Sequence, residues 1–300
     1  MKADKKDLRL PAVAGSFYPA HAGELRELIR SCYEDRKFGP GRPPVVGEGK
    51  DRTVVGVVCP HAGYQYSGSA AAWSYDAIFS ERAPDSIVVL GTRHTHYFGV
   101  AVCTSGSWLT PLGKVPVDQE LATALVEGAD VLKDDRSAFF GSHGREHNIE
   151  VQLPFIQNYD AGVKVVPVKV GVDSWDQVRA VGEGVAKVVR SHAAETGKDV
   201  VLVASSDMTH AEIYGEGSRT DMAAKDAAVA KAVEAFDPEA TWKAARATTV
   251  CGPQTICALM VACKALGATR AEVLKYYTSS DVTGARGGYC VGYMSAAFRK

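Results

Sequence analysis

Nowhere does this 300-residue chain hold an uninterrupted apolar run of the length that a bilayer demands, about 20 residues. The longest candidates, 256–262 and 289–298, are too short or broken by Gly292. The start, Met1-Lys-Ala-Asp-Lys-Lys-Asp7, lacks the apolar segment of a secretory signal. Close cysteine pairing is missing as well, because the seven cysteines make an odd set with no paired motif. These absences predict a soluble protein of the reducing cytoplasm, with no membrane partner. An excess of one charge is also absent: 34 basic and 35 acidic residues are mixed along the chain with no basic stripe, which argues against a nucleic-acid partner. No phosphate-binding glycine signature occurs, since Gly284-Ala-Arg-Gly-Gly288 lacks both the Gly-Lys-Ser/Thr ending and the dinucleotide spacing. It reads as a turn before the last strand.

What is present is enough apolar material for a large core. At 46% hydrophobic, a chain of 300 residues buries roughly 75% of its unfolded surface and needs neither a disulfide nor a metal to hold together. A cluster of ligand-type residues therefore points to function. Runs rich in β-branched residues at 54–58, 87–90, 163–170, 200–203, 273–277 and 289–294 are apolar on both faces, as buried strands are. Helical periodicity lies between them at 24–35, 68–79, 118–126, 175–194, 223–236 and 254–266. The alternation predicts an α/β fold with a mixed or mostly parallel sheet and helices on both faces. No repeat or long linker divides the chain, so one domain spanning 1–300 is expected, with its first ten or so residues flexible. Segment 38–50, with three prolines and four glycines, reads as a mobile loop.

Five polar blocks sit where apolar runs end: Cys59-Pro-His-Ala-Gly-Tyr64, Gly91-Thr-Arg-His-Thr-His96, Glu146-His-Asn-Ile-Glu150, Ser205-Ser-Asp-Met-Thr-His210 and Val250-Cys-Gly-Pro253. Six of the eight histidines lie in or beside them, and imidazole, thiolate and carboxylate are the donors that bind transition metals. Ligands gather at the carboxyl edge of open α/β sheets, so blocks far apart in sequence can meet there.

Each residue has a plainer reading beside the functional one. His61 and His94 each follow a buried strand, and either serves as a turn histidine or as a ligand. Cys251 stands beside the N-terminus of a helix starting near Pro253, a setting that eases ionisation for ligation or nucleophilic attack. Cys257, Cys263, Cys59 and Cys290 read as core. Asp207 and His210 fit an acid–base pair, while Ser206 or Asp207 fits equally well as a helix N-cap. His143-Gly-Arg-Glu-His147 matches an inverted zinc-peptidase pattern, but Gly144 and Asn148 weaken the helix this needs, and the periodic helix starts near Ile149. Glu146, His147 and Glu150 are therefore read as pocket wall or loop ties. His96 and His143 drop out as ligands.

Several longer motifs resemble those of the Memo family, whose microbial members are often called AmmeMemoRadiSam system protein B. They are Ala14-Gly-Ser-Phe-Tyr-Pro19, Pro60-His-Ala-Gly-Tyr64, Thr110-Pro-Leu-Gly-Lys-Val115 with Val117-Asp118, Glu146-His-Asn-Ile-Glu-Val-Gln-Leu-Pro154, Ser205-Ser-Asp207, and Tyr276-Tyr-Thr-Ser-Ser-Asp281 with Gly292-Tyr293. The resemblance implies a single α/β domain similar to the class III extradiol dioxygenases, the LigB-like fold. It also implies a pocket in which His61, His94 and Cys251 hold one metal ion, with Asp207 and His210 beside it. Tyr64, Arg93, His147 and Glu150 are the expected lining. Two departures stand out. Gly91-Thr-Arg-His94 replaces the usual Gly-Pro-Asn/Ser-His and brings a cation to the edge of the site, and Ser279-Ser-Asp281 replaces Ser-Gly-Asp.

Three functions follow as expectations. One is a non-heme metal protein, Fe(II) ahead of Cu or Zn, redox-active on a small molecule. The second is a metal-handling or peptide-binding module without turnover. The third is a metal-free hydrolase with Cys251 as nucleophile. The family name further implies functional association with radical SAM and AMMECR-like proteins.

Overall fold

The computed structural model describes residues 8–140 and 144–300. Its centre is four parallel strands in the order β2 (Val54–Cys59), β9 (Val200–Ser205), β3 (Ser86–Gly91) and β8 (Lys164–Gly171). Nearly every residue of these strands is buried, as the doubly apolar runs require. Antiparallel strands extend both sides. β12 (Gly288–Arg299) pairs with β2, with β10 (His210–Ile213) and with β11 (Arg270–Thr278), while β4 (Gly99–Val102) pairs with β8 and carries β7 (Lys133–Asp134). The sheet is thus mixed and mostly parallel at its core, as expected. A separate small sheet joins β1 (Leu8–Arg9), β5 (Ser107–Thr110) and β6 (Gly113–Pro116).

Helices flank the sheet. α1 (Ala22–Glu34), α2 (Tyr64–Phe79) and α4 (Leu153–Tyr159) pack together, and α5 (Trp175–Thr196) packs on α8 (Pro253–Ala265) with α3 (Gln119–Gly128) beside it. α6 (Glu216–Glu234) and α7 (Pro238–Arg246) lie together, and the one-turn α9 (Ser279–Thr283) separates β11 from β12. Local chemistry sets the ends. Ser174 and Gln177 form a capping box on α5, Gly197 ends it in the left-handed conformation at φ 70°, and Pro253 opens α8.

Register fixes the site's foundation. Cys59 and Gly91 each pair with Ser205, so the chain leaves three neighbouring strands at one level. Some expectations are revised. Segment 38–50 is pinned by backbone bonds from Gly39 to Asp35, Arg42 to Tyr33, Gly47 to Phe79 and Gly49 to Glu81. Of the first ten residues, 1–7 lie outside the described residues, whereas Leu8 and Arg9 pair with Ser107 and Trp108. The Gly284–Gly288 turn precedes the last strand, β12, and follows α9.

Candidate metal centre

Pro60, Thr92 and Ser206 carry the chain off β2, β3 and β9, and His61, Arg93-His94 and Asp207 follow at the carboxyl edge. Two glycines allow neighbouring segments to close over this edge. A Cβ on Gly91 would stand 2.3 Å from Asn148 Oδ1, so only glycine lets the 144–150 segment lie against the strand end. A Cβ on Gly252 would meet Thr255 Oγ1 at 2.6 Å and Ser206 at 2.9 Å, and the Gly252 amide donates to Ser206 Oγ at 3.0 Å. That closeness seats Cys251 against the Ser206-Asp207 corner.

Hydrogen-bond bookkeeping decides the tautomer of His61. Tyr75 donates its hydroxyl to Gln152 Oε1 at 2.9 Å, which turns the Gln152 amide nitrogen toward Pro60 O and Ser205 Oγ. Ser205 spends its one proton on Asn148 O at 2.7 Å. The 3.0 Å contact between His61 Nδ1 and Ser205 Oγ must then be donated by the imidazole, leaving Nε2 with a bare lone pair. Burial, with His94 and His147 nearby, pushes His61 well below its ordinary value, so it is neutral at pH 7.

His94 is oriented by Glu146, which accepts from its backbone amide at 2.8 Å and its Nδ1 at 2.9 Å. Again Nε2 is left over. Burial works against a charge on His94, but the bonded carboxylate more than offsets it and holds His94 above its usual value. The same bonds overcome burial at Glu146 and keep it below the usual carboxylate range. His147 lies in stacked contact with His94, ring centres 4.9 Å apart, and is pushed down to about 4 by burial and by His94. One ligand atom from each of His61, His94 and His147 lies within 4.8 Å of the others. The donors are graded in access: His61 is 2% exposed, whereas 33% of the His94 side chain is open. Imidazole nitrogens so grouped fit a borderline transition-metal ion.

His147, expected as pocket wall, joins the cluster, and Cys251 stands on its flank. Cys251 Sγ is 3.2 Å from His61 Nε2 and accepts from the Asp207 amide at 3.1 Å. Because Nε2 is bare, the thiol proton points to it. Burial, then the Asp207 charge, raises the Cys251 thiol. Asp207, pushed up to about 6 by burial, takes the His61 amide at 2.7 Å. It does not hold His210, whose Nδ1 donates to Thr249 O at 3.1 Å and whose amide meets Thr249 Oγ1 at 2.9 Å. His210 opens β10, so no helix is capped at Ser206 or Asp207.

The other expected lining residues serve the frame. Tyr64 gives its hydroxyl to Val151 O at 2.6 Å. Arg93 turns to Asp173, to Tyr97 O at 2.7 Å and to Gly171 O at 3.2 Å, so its charge is paired and not offered to a ligand. Glu150 binds Arg9 at 2.7 Å, Tyr18 Oη at 2.7 Å and the amides of Ala12 and Val13, which makes it a loop tie. His143, and with it the peptidase pattern, lies outside the described residues.

Residues 9–297 match the family described as Memo-like protein. The chain belongs to the Memo family. It is 40% identical to a MEMO1 family protein of Methanopyrus kandleri, over 97% of this chain and 99% of that one. A MEMO1 family protein of Methanothermobacter thermautotrophicus is 38% identical over 95% and 98% of the two chains. Among solved structures, an uncharacterized protein from Escherichia coli K12 aligns with a TM-score of 0.48 and 16% identity, covering 82% of this chain and 99% of that one. In this Memo chain the cluster of three histidines can hold a metal ion, and Cys251 Sγ lies 3.2 Å from one of them.

Proposed function

We propose that the protein binds one transition-metal ion through His61, His94 and His147, with Cys251 as a further donor, and acts as a redox centre for a small molecule. The observation that carries this reading is the pair of fixed tautomers: Ser205 and Glu146 hold Nδ1 of His61 and His94, so that both offer Nε2 within one cluster. Neutral imidazole beside a thiol suits Fe(II), Cu or Zn, with Fe(II) the ion we assign. When bound, the ion would supply Lewis-acid or one-electron chemistry at a position open on the His94 side. His210, whose Nδ1–H is spent on Thr249, keeps Nε2 to take a proton from a ligand. Asp207, with a value near neutrality, can hold or release a proton beside Cys251. Seven free cysteines suit a reducing compartment, and among the described residues no helix is long and apolar enough to cross a membrane.

The cysteine-nucleophile reading has a specific contact in its favour, the 3.2 Å approach of Cys251 to His61. Its thiol is raised, opposite to the depression an attacking thiolate needs. The metal reading is tested by anaerobic purification and metal analysis of wild type, His61→Ala and His94→Ala. One equivalent in wild type and little in either variant is expected; equal metal in all three sinks the assignment. Oxygen uptake with a panel of catechols, lost in His210→Ala, would separate turnover from binding alone.

A further inference from the structure

Segment 144–149, which carries Glu146 and His147, has no regular secondary structure of its own. Something else must hold it still. Arg9, only 3% exposed, lies against it with its guanidinium 4.0 Å over the Trp108 ring. Nε donates to Phe139 O at 3.2 Å, Nη1 to Glu150 Oε2 at 2.7 Å, and Nη2 to Gly144 O at 3.0 Å and to Glu146 O. The four acceptors bracket the segment from both sides. Glu150 in turn is fully buried and collects the Ala12 and Val13 amides and the Tyr18 hydroxyl, and Phe17 packs 4.6 Å from the His147 ring. Residues 8–18 therefore grip the histidine segment at its carbonyls, at its carboxylate and at one ring.

We infer that Arg9 is a positioning residue for the metal centre. It fixes the backbone from which His147 projects and, through Glu146, the carboxylate that orients His94. This rests on the metal reading given above. An arginine is needed because its planar fork reaches several acceptors in fixed directions, whereas a lysine offers its donors from one point. Residues that orient ligands from behind typically alter metal affinity by about 10- to 100-fold. Arg9 acts one step further back than Glu146, so a loss near the lower figure is expected.

The test uses Co(II) as probe on the full-length protein stripped of metal, with affinity read by chelator competition and ligand geometry by the visible spectrum. Arg9→Lys should bind Co(II) about tenfold more weakly with a shifted spectrum. Tyr18→Phe, which removes one bond to Glu150, should weaken binding less. Arg52→Lys is the matched control: Arg52, its side chain 7% exposed, donates to Asp199 at 2.7 Å and to Ile78 O at 2.8 Å, and it lies at the opposite edge of the sheet. It should lose thermal stability while keeping wild-type Co(II) affinity and spectrum. Wild-type affinity and spectrum in Arg9→Lys would overturn the proposal. Should Arg9→Lys fail to fold, unaltered binding in Tyr18→Phe would overturn it instead. His94→Ala separates the two levels: full Co(II) binding in that variant removes the metal reading itself, whereas loss there with no effect at Arg9 removes only the positioning role.

Discussion

The two edges of the central strands carry charge in opposite ways. At the amino edge, Arg52 pairs with Asp199 at 2.7 Å and Glu81 at 3.5 Å, Arg82 shares Asp199 at 2.9 Å, and Arg299 meets Glu81 at 3.2 Å. Permanent charges there satisfy one another. A cleft of about 480 Å³ opens among them, but Arg52 and Arg82 on its wall are already spent on Asp199 and on backbone carbonyls. At the carboxyl edge the groups are imidazoles, a thiol and two carboxylates whose charge depends on a proton or a metal. His61 and His94 are each held at Nδ1 and leave Nε2 for use. One edge closes the fold and the other keeps capacity in reserve, as expected where loops vary over a fixed sheet.

The largest effect that could break this contrast lies at the closed edge. Arg52→Ala removes one bond to Asp199 and two to backbone carbonyls, while Arg82 and Arg299 stay on Asp199 and Glu81, and should cost about 3 kcal/mol of unfolding free energy, with metal affinity unchanged. Urea denaturation with parallel metal titration checks it, and a loss of affinity would show the edges to be coupled. Next comes removal of a ligand. His61→Ala should lower metal affinity beyond the roughly 100-fold seen for residues that merely orient ligands. Cys251→Ala should cost less than His147→Ala; the reverse order would restore His61, His94 and Cys251 as the ligand set.

A smaller effect sharpens the tautomer argument. Ser205→Ala removes the acceptor of His61 Nδ1–H without touching the pocket face of the ring. Affinity should fall about tenfold, within the range for such outer partners. If it stays at the wild-type value, the Tyr75–Gln152–Ser205 relay does not set His61.

Much of this architecture could be read from the chain. The central strands were visible because β-branched runs buried on both faces leave little else to form, and His61 and His94 were visible because they follow such runs directly. His147 was not, since segment 144–149 has no periodicity and its place depends on Arg9, more than 130 residues away. The partners of the Asp207–His210 pair are hidden for a related reason: His210 begins a strand and gives its Nδ1 proton to Thr249, 39 residues away. For Tyr64 and Arg93, the partners that claim their polar atoms, Val151 and Asp173, lie 87 and 80 residues away and leave no mark in local spacing.

The smallest effect concerns protons in the metal-stripped protein. His147 is lowered to about 4 in the fold, so as pH falls from 6.5 the unfolded chain binds its proton first and stability drops. Asp207 is raised from 3.8 to about 6, so over the same window the folded state binds the proton first and stability rises. The two slopes oppose each other between about pH 4 and 6. Asp207→Asn keeps an oxygen for the His61 amide but removes the second slope. At pH 7 the variant should gain stability, because a buried charge is gone. On acidification it should then lose stability more steeply than wild type. Urea unfolding at pH 7 and 4.5 in the presence of chelator measures both. Parallel curves for the two proteins would mean that Asp207 does not carry the buried charge at this edge.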